Sequence, residues 1–274
     1  MIMPQASTYV RIPDDAAFRG ETGPLPAGVR RVTPDALGAI RLMDGPIARN
    51  AEGKVQVAAF DFDGTCISGN SPVLLVRYLL KKGQVRTSVL LRILTWGIAY
   101  KLHLPQNEAW VRSLVFSSFD GMPEEEADAE MYKFYDEWIV PRIRPKALQV
   151  MREHIAAGRD IWIVSATFDP IIVRAKRDIP YDHHVATDMK LDEHGCYTRE
   201  VKGKPVEGAE KLRQIKEHAD QIYGKDSWKL AYAYGDHYSD APLLAASEHP
   251  AAVTPGPTLQ HHAEKEGWQV LDWR

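Results

Sequence analysis

The chain has 274 residues, 45% of them hydrophobic and 26% charged, which is the composition of an ordinary soluble protein long enough to bury a sizeable core. Its net charge of −3 gives no electrostatic case for nucleic acid as a partner. The two cysteines, Cys66 and Cys196, make neither a metal cluster nor a disulfide framework, which points to a reducing cytoplasm.

Residues 1–52 carry scattered prolines and little periodicity, and read as a loosely ordered or accessory N-terminal extension. Met1 to Pro13 lacks the basic and apolar regions of a secretory signal. One short helix is expected over Thr33 to Met43, with Thr33 as N-cap and Pro34 at its first position. The apolar run Val57 to Phe60 then predicts a buried parallel strand that stops at Asp61 and opens into a loop through Asp63, Gly64 and Thr65. In an open α/β sheet ligands bind at such strand ends.

Helical patterning follows from Ser71 to Met151, with breaks near Gly83, Pro105, Gly121 to Pro123 and Pro141 to Pro145. The apolar stretch Val73 to Tyr100 is interrupted by Arg77, Lys81, Lys82, Arg86 and Arg92, which is too frequent for a transmembrane helix. Mutually packed helices explain it, and a surface touching lipid or an apolar substrate tail is the other reading. Glu124, Glu125 and Glu126 suit the macrodipole of a helix start.

From Pro145 the pattern alternates. Ala147 to Ala157 reads as a helix, Asp160 to Val164 as a strand opening onto Ser165, Ala166 and Thr167, Phe168 to Arg177 as a helix, and His184 to Thr198 as a small hairpin. Glu207 to Ala219 is a helix carrying Lys211, Lys229 to Tyr234 a strand ending at Gly235 and Asp236, and the stretch after Asp240 a helix to Ala246. Ala251 to Thr254, Leu259 to Glu266 and Trp268 to Trp273 add a strand, a helix and a strand. The expected fold is α/β, a Rossmann-like doubly wound parallel sheet core (53–68 and 146–274) with an all-helical cap (69–145) inserted after its first strand.

Asp61, Asp63, Ser165, Lys211, Asp236 and Asp240 all fall at strand ends or neighbouring helices of that sheet. So many carboxylates converge only around a cation, and an all-oxygen donor set suits Mg²⁺. Zinc is not expected, because no Cys or His pair at ligand spacing lies near these acids. A Mg²⁺ site flanked by an ammonium and a hydroxyl is what a phosphoryl group needs. Asp61 is the candidate nucleophile, Asp63 the acid that protonates the leaving alkoxide and then the base for water. Lys211 balances charge, Ser165 donates a hydrogen bond, Asp236 ligates the metal, and Asp240 orients Lys211 or a metal-bound water. Thr65, Asn70 and Ala166 are expected to join Ser165 and Lys211 in binding substrate. Cys66 reads as a small buried side chain.

Four stretches in this order resemble the motifs of haloacid dehalogenase superfamily phosphatases. They are Asp61-Phe62-Asp63-Gly64-Thr65, Ile161-Trp162-Ile163-Val164-Ser165, Lys211 in its helix, and Gly235-Asp236-His237-Tyr238-Ser239-Asp240. The likeness spans residues 55–274, and the insertion is similar to the helical cap of the phosphoserine-phosphatase-like group, type IB. The resemblance implies Mg²⁺ held by Asp61, the main-chain carbonyl of Asp63, and Asp236. Where phosphoserine phosphatases carry a glutamate for the substrate's ammonium group, this chain has Asn70, which supplies no charge. The expected substrate is therefore a small phosphorylated metabolite other than phosphoserine. His183, His184, His237 and Tyr238 are expected at the surface or in packing.

Other readings share part of the pattern. A phospholipid-headgroup or amphiphile phosphatase would use the apolar run, a receiver-like module would be phosphorylated on Asp61 without turnover, and a phosphotransferase would use the same residues with an alcohol in place of water.

Overall fold

The computed structural model describes residues 49–83 and 115–274, together with the backbone of 32–34 and 40–42. In the earliest stretch β1 (Val32–Pro34) and β2 (Ile40–Leu42) pair antiparallel, which corrects the helix expected over Thr33 to Met43. Val32, Thr33 and Ile40 are β-branched, and a Thr-Pro pair suits a strand end as well as a helix start.

The main strands are β3 (Val55–Phe60), β4 (Asp160–Phe168), β5 (His183–Thr187), and, beyond the short hairpin of β6 (Met189–Leu191) and β7 (Tyr197–Val201), β8 (Trp228–Gly235), β9 (His249–Val253) and β10 (Gln269–Leu271). They form a six-stranded sheet in the order β10-β9-β8-β3-β4-β5, with all neighbours parallel. From β3 the chain builds outward to β4 and β5, then crosses back to β8 on the other side. The strand order thus reverses at β3, where a crevice opens at the strands' C-terminal ends.

Alternation along β3 divides the core. Ala58 and Phe60 face α3 (Pro145–Ala156) and α4 (Asp169–Ala175), while Val55, Val57 and Ala59 face α5 (Ala209–Tyr223), α6 (Ala241–Ala245) and α7 (Pro257–Glu266).

Between β3 and α3 the described chain is helical: α1 (Ser71–Lys81), residues 115–119, α2 (Glu124–Phe134), then a π turn over Tyr135–Ile139 and a 3-10 turn over Val140–Arg142. Asn70 caps α1 by accepting from the Val73 amide at 3.1 Å, with Pro72 in its first turn. Of the apolar residues of α1, Leu74, Leu75, Val76, Tyr78 and Leu79 are buried. The remainder of the apolar run to Tyr100 lies outside the described residues. Among the described residues no helix is long and apolar enough to cross a membrane.

The outgoing and returning chains of this helical stretch run side by side. The Ser68 amide donates to the Arg142 carbonyl at 2.8 Å and the Arg144 amide to the Cys66 carbonyl at 2.8 Å. This neck sits directly beside the loop that follows β3.

Candidate active site

The buried strand β3 delivers Asp61, 4% exposed, to the crevice. From the first turn of α5, Lys211 reaches the same point and donates to Asp61 Oδ1 at 2.5 Å and to Asp240 Oδ1 at 2.6 Å. Asp240 is held in turn: its Oδ2 accepts from the His237 amide at 3.2 Å and packs against Gly235 so closely that a Cβ there would lie 2.6 Å away. Asp236, at the end of β8, leans over Gly64, whose φ of 75° and bare Cα make the approach possible.

Burial works against the Lys211 charge, but Asp240 and Asp61 outweigh it and hold the ammonium above its usual range. Burial lifts the Asp61 carboxyl well above the usual carboxylate range, Lys211 opposes this, and Asp240 and Asp236 add to it. Asp236 is pushed up to about 7, by burial first and Asp240 second. One oxygen from each of Asp61, Asp236 and Asp240 lies within 4.8 Å of the others. Carboxylates gathered this closely, with Asp61 and Asp236 raised, are what a bound divalent cation relieves, and the all-oxygen set fits Mg²⁺. Both oxygens of Asp240 are engaged by Lys211 and the His237 amide, which leaves Asp61 and Asp236 as the side chains suited to hold the ion.

Asp63 turns the other way. Its Oδ1 accepts from the Ser71 amide at 2.7 Å, and its Oδ2 accepts from Ser71 Oγ and Thr167 Oγ1, both at 2.9 Å. The two hydroxyls also touch each other. Burial pushes Asp63 up to about 6 against these three hydrogen bonds. Its side chain is thus outside the acidic cluster, and of its oxygens only the main-chain carbonyl is left that could face a metal.

A cavity of about 650 Å³ opens here, and its lining includes Asp61, Asp63, Ser165, Ala166, Lys211, Asp236, Asp240 and Asn70. Thr65 departs from its expected substrate contact: it is fully buried, is not part of the lining, and its Oγ1 has no hydrogen-bond partner. Of the four aromatic and histidine candidates only His237 lines the cavity. His183 packs on Trp162, His184 pairs with Asp169 at 2.9 Å, and Tyr238 is exposed beside His262. The Cys66 thiol is buried and donates to the Asp61 carbonyl, and burial pushes its pKa up, as a packing residue requires. Sequence reasoning missed Ser71 and Thr167, the partners of Asp63, and Arg77 and Arg144 in the cavity wall. Ser71 follows the helix cap and Thr167 belongs to the stretch after Ser165, but neither position signals its partner.

The family model for haloacid dehalogenase-like hydrolases (HAD) matches residues 58–245. The chain belongs to this family. The HAD chain is 27% identical over 224 residues to a histidinol-phosphatase of Neisseria meningitidis serogroup C, covering 80% of this chain and 99% of that one. To a phosphoserine phosphatase of Mycobacterium tuberculosis it is 25% identical over 220 residues, covering 79% and 70%. A solved structure of a protein of unknown function from Bordetella pertussis Tohama I matches with a TM-score of 0.71 at 25% identity, over 81% of this HAD chain and 100% of that one. A phospho-aspartyl intermediate analogue of phosphoserine phosphatase shares the fold, with a TM-score of 0.53 at 19% identity over 81% and 94%.

Proposed function

We propose that this phosphoric monoester hydrolase cleaves a small phosphorylated metabolite through an aspartyl phosphate on Asp61. The observation that carries the reading is Lys211, a buried ammonium 2.5 Å from Asp61 and 2.6 Å from Asp240 at the floor of an open cavity. Lys211 engages Oδ1 of Asp61, and Oδ2, with no partner among the described residues, attacks phosphorus. The P–O bond to the alcohol breaks, and Asp63 gives its proton to the leaving oxygen. Asp63 then takes a proton from water, whose oxygen attacks the same phosphorus and returns Asp61 as a carboxylate with release of phosphate. Ser165 and Lys211 bind the phosphoryl oxygens, and Asp240 positions Lys211. Asp61 and Asp236, with the Asp63 carbonyl, would hold Mg²⁺, which supplies positive charge against the phosphoryl oxygens. The described helices between β3 and α3, of which α1 lines the cavity, act as a cap that limits water.

Phosphate release from a panel of phosphomonoesters tests this, for wild type and Asp61→Asn, with and without Mg²⁺. Removing either Asp61 or Mg²⁺ is expected to cut turnover by at least about 10³-fold. Turnover that persists in Asp61→Asn would remove the covalent mechanism.

A further inference from the structure

The cavity wall is charged asymmetrically. Among the described residues its carboxylates, Asp61, Asp63, Asp236 and Asp240, all belong to the reacting centre. Among the described residues its lysine and arginine side chains, apart from Lys211, are Arg77, from α1, and Arg144, from the neck where the chain returns to the sheet. Neither arginine makes an ion pair among the described residues.

Arg144 is oriented by its surroundings. Its amide is tied to the Cys66 carbonyl at 2.8 Å and its Nη1 donates to the Trp273 carbonyl at 2.8 Å. Its Nε is buried with no hydrogen-bond partner, and its Nη2 has none among the described residues. The Nε–Nη2 edge of a guanidinium is a fork that receives a carboxylate or phosphate through two parallel bonds. A buried donor left without an acceptor is unfavourable, and because Arg144 lines the cavity, an anion there that reached this edge would satisfy it. The phosphoryl group being transferred already has Lys211 and Ser165, so this fork is left for another part of the ligand.

We infer that Arg144, supported by Arg77, is an anion subsite for the alcohol portion of the substrate. The phosphomonoester cleaved here carries a second acidic group, a carboxylate or another phosphate, on its leaving alcohol. This rests on the phosphatase reading above. It also fits Asn70: among the described residues no carboxylate outside the reacting centre lines the cavity to meet an ammonium group.

The test compares kcat/KM for phosphoglycolate, ethanediol bisphosphate, ethyl phosphate and phosphoethanolamine, with wild type, Arg144→Gln and Arg77→Gln. Wild type is expected to prefer an acidic substrate over ethyl phosphate by about 10- to 100-fold, the size of a charge-assisted hydrogen-bond pair. Whether phosphoglycolate or the bisphosphate gains more identifies the acidic group. Arg144→Gln is expected to shrink that ratio by about tenfold or more, and Arg77→Gln by less. Should Arg144→Gln fail to fold, the wild-type ratio and the exposed Arg77→Gln variant decide. A wild type that prefers ethyl phosphate or phosphoethanolamine, or an Arg144→Gln that loses equally on all four, overturns the subsite and leaves the phosphatase standing. No turnover of any phosphomonoester sinks both.

Discussion

Gly64 is where the backbone comes closest to the chemistry. A methyl group there would lie 1.9 Å from Asp236 Oδ2, on a backbone with φ of 75°. Gly64→Ala is therefore expected to push Asp236 aside, raise the Mg²⁺ concentration needed for half-maximal activity, and cut kcat by at least about tenfold. A Mg²⁺ titration of activity that matches wild type would contradict this. Thr167 acts on the other carboxylate. Thr167→Val removes the 2.9 Å bond to Asp63 while keeping the side chain's shape. The expected result is a fall in kcat of roughly tenfold for alkyl phosphates and a smaller one for 4-nitrophenyl phosphate, whose leaving group needs little protonation. Equal losses on both would place Thr167 outside proton transfer. The residues that meet at Lys211 were legible in the sequence because each closes a short apolar run or begins a helix. Ser71 and Thr167 were not, because their hydroxyls meet on Asp63 from positions 96 residues apart. Thr65 read as a ligand residue because it follows Gly64 in the motif, yet the chain turns it inward, fully buried.

At the scale of elements, strand and helix types among the described residues from β3 onward follow the sequence pattern, and the departures have local causes. β4 was expected to end at Val164 but runs to Phe168, since Phe168 pairs with Thr187 across a register shift after Val164. The expected hairpin from His184 divides: His183 to Thr187 joins the main sheet beside β4, and only β6 and β7 form the hairpin. Alternation alone does not say which neighbour a strand takes. In the helical stretch the contacts joining helices are polar as well as apolar. Glu130 of α2 accepts from Tyr78 Oη at 2.7 Å and from Lys82 Nζ at 2.8 Å, tying α2 to α1 and the residue that ends it. Glu130→Ala strands the buried Tyr78 hydroxyl and is expected to cost about 1–3 kcal/mol. Urea denaturation of the full chain measures it, and a loss within about 0.5 kcal/mol would mean water replaces the carboxylate.

Across the whole molecule, the alternation of strands and helices predicted a parallel sheet, but the reversal at β3 is a tertiary fact, set by which strands pair. On the face of the sheet that α3 covers, His154 of α3 lies 4% exposed against Phe60 of β3 and Tyr234 of β8. Arg159 Nη1 donates to His154 Nδ1 at 3.2 Å, and the ring's Nε2 is 2.9 Å from Tyr234 Oη, which fixes a neutral imidazole. Burial, with the Arg159 charge second, lowers its pKa from 6.5 to about 4. Between these values the unfolded chain takes a proton that the folded chain refuses. Stability is therefore complete above pH 6.5 and falls as pH drops toward 4, by about 3 kcal/mol from this group. Without bound metal, Asp63, raised to about 6, and Asp236, raised to about 7, act with the opposite sign. The folded chain binds their protons more readily, so they add stability as pH falls through the same range. The net curve mixes both, and the His154 part is isolated by difference. His154→Gln keeps an acceptor for Arg159 and a donor for Tyr234 but cannot titrate. Denaturant unfolding at pH 7.5 and 4.5 is expected to show wild type losing about 2–3 kcal/mol more than the variant. Equal losses would mean that His154 gains its proton without leaving its place in the core.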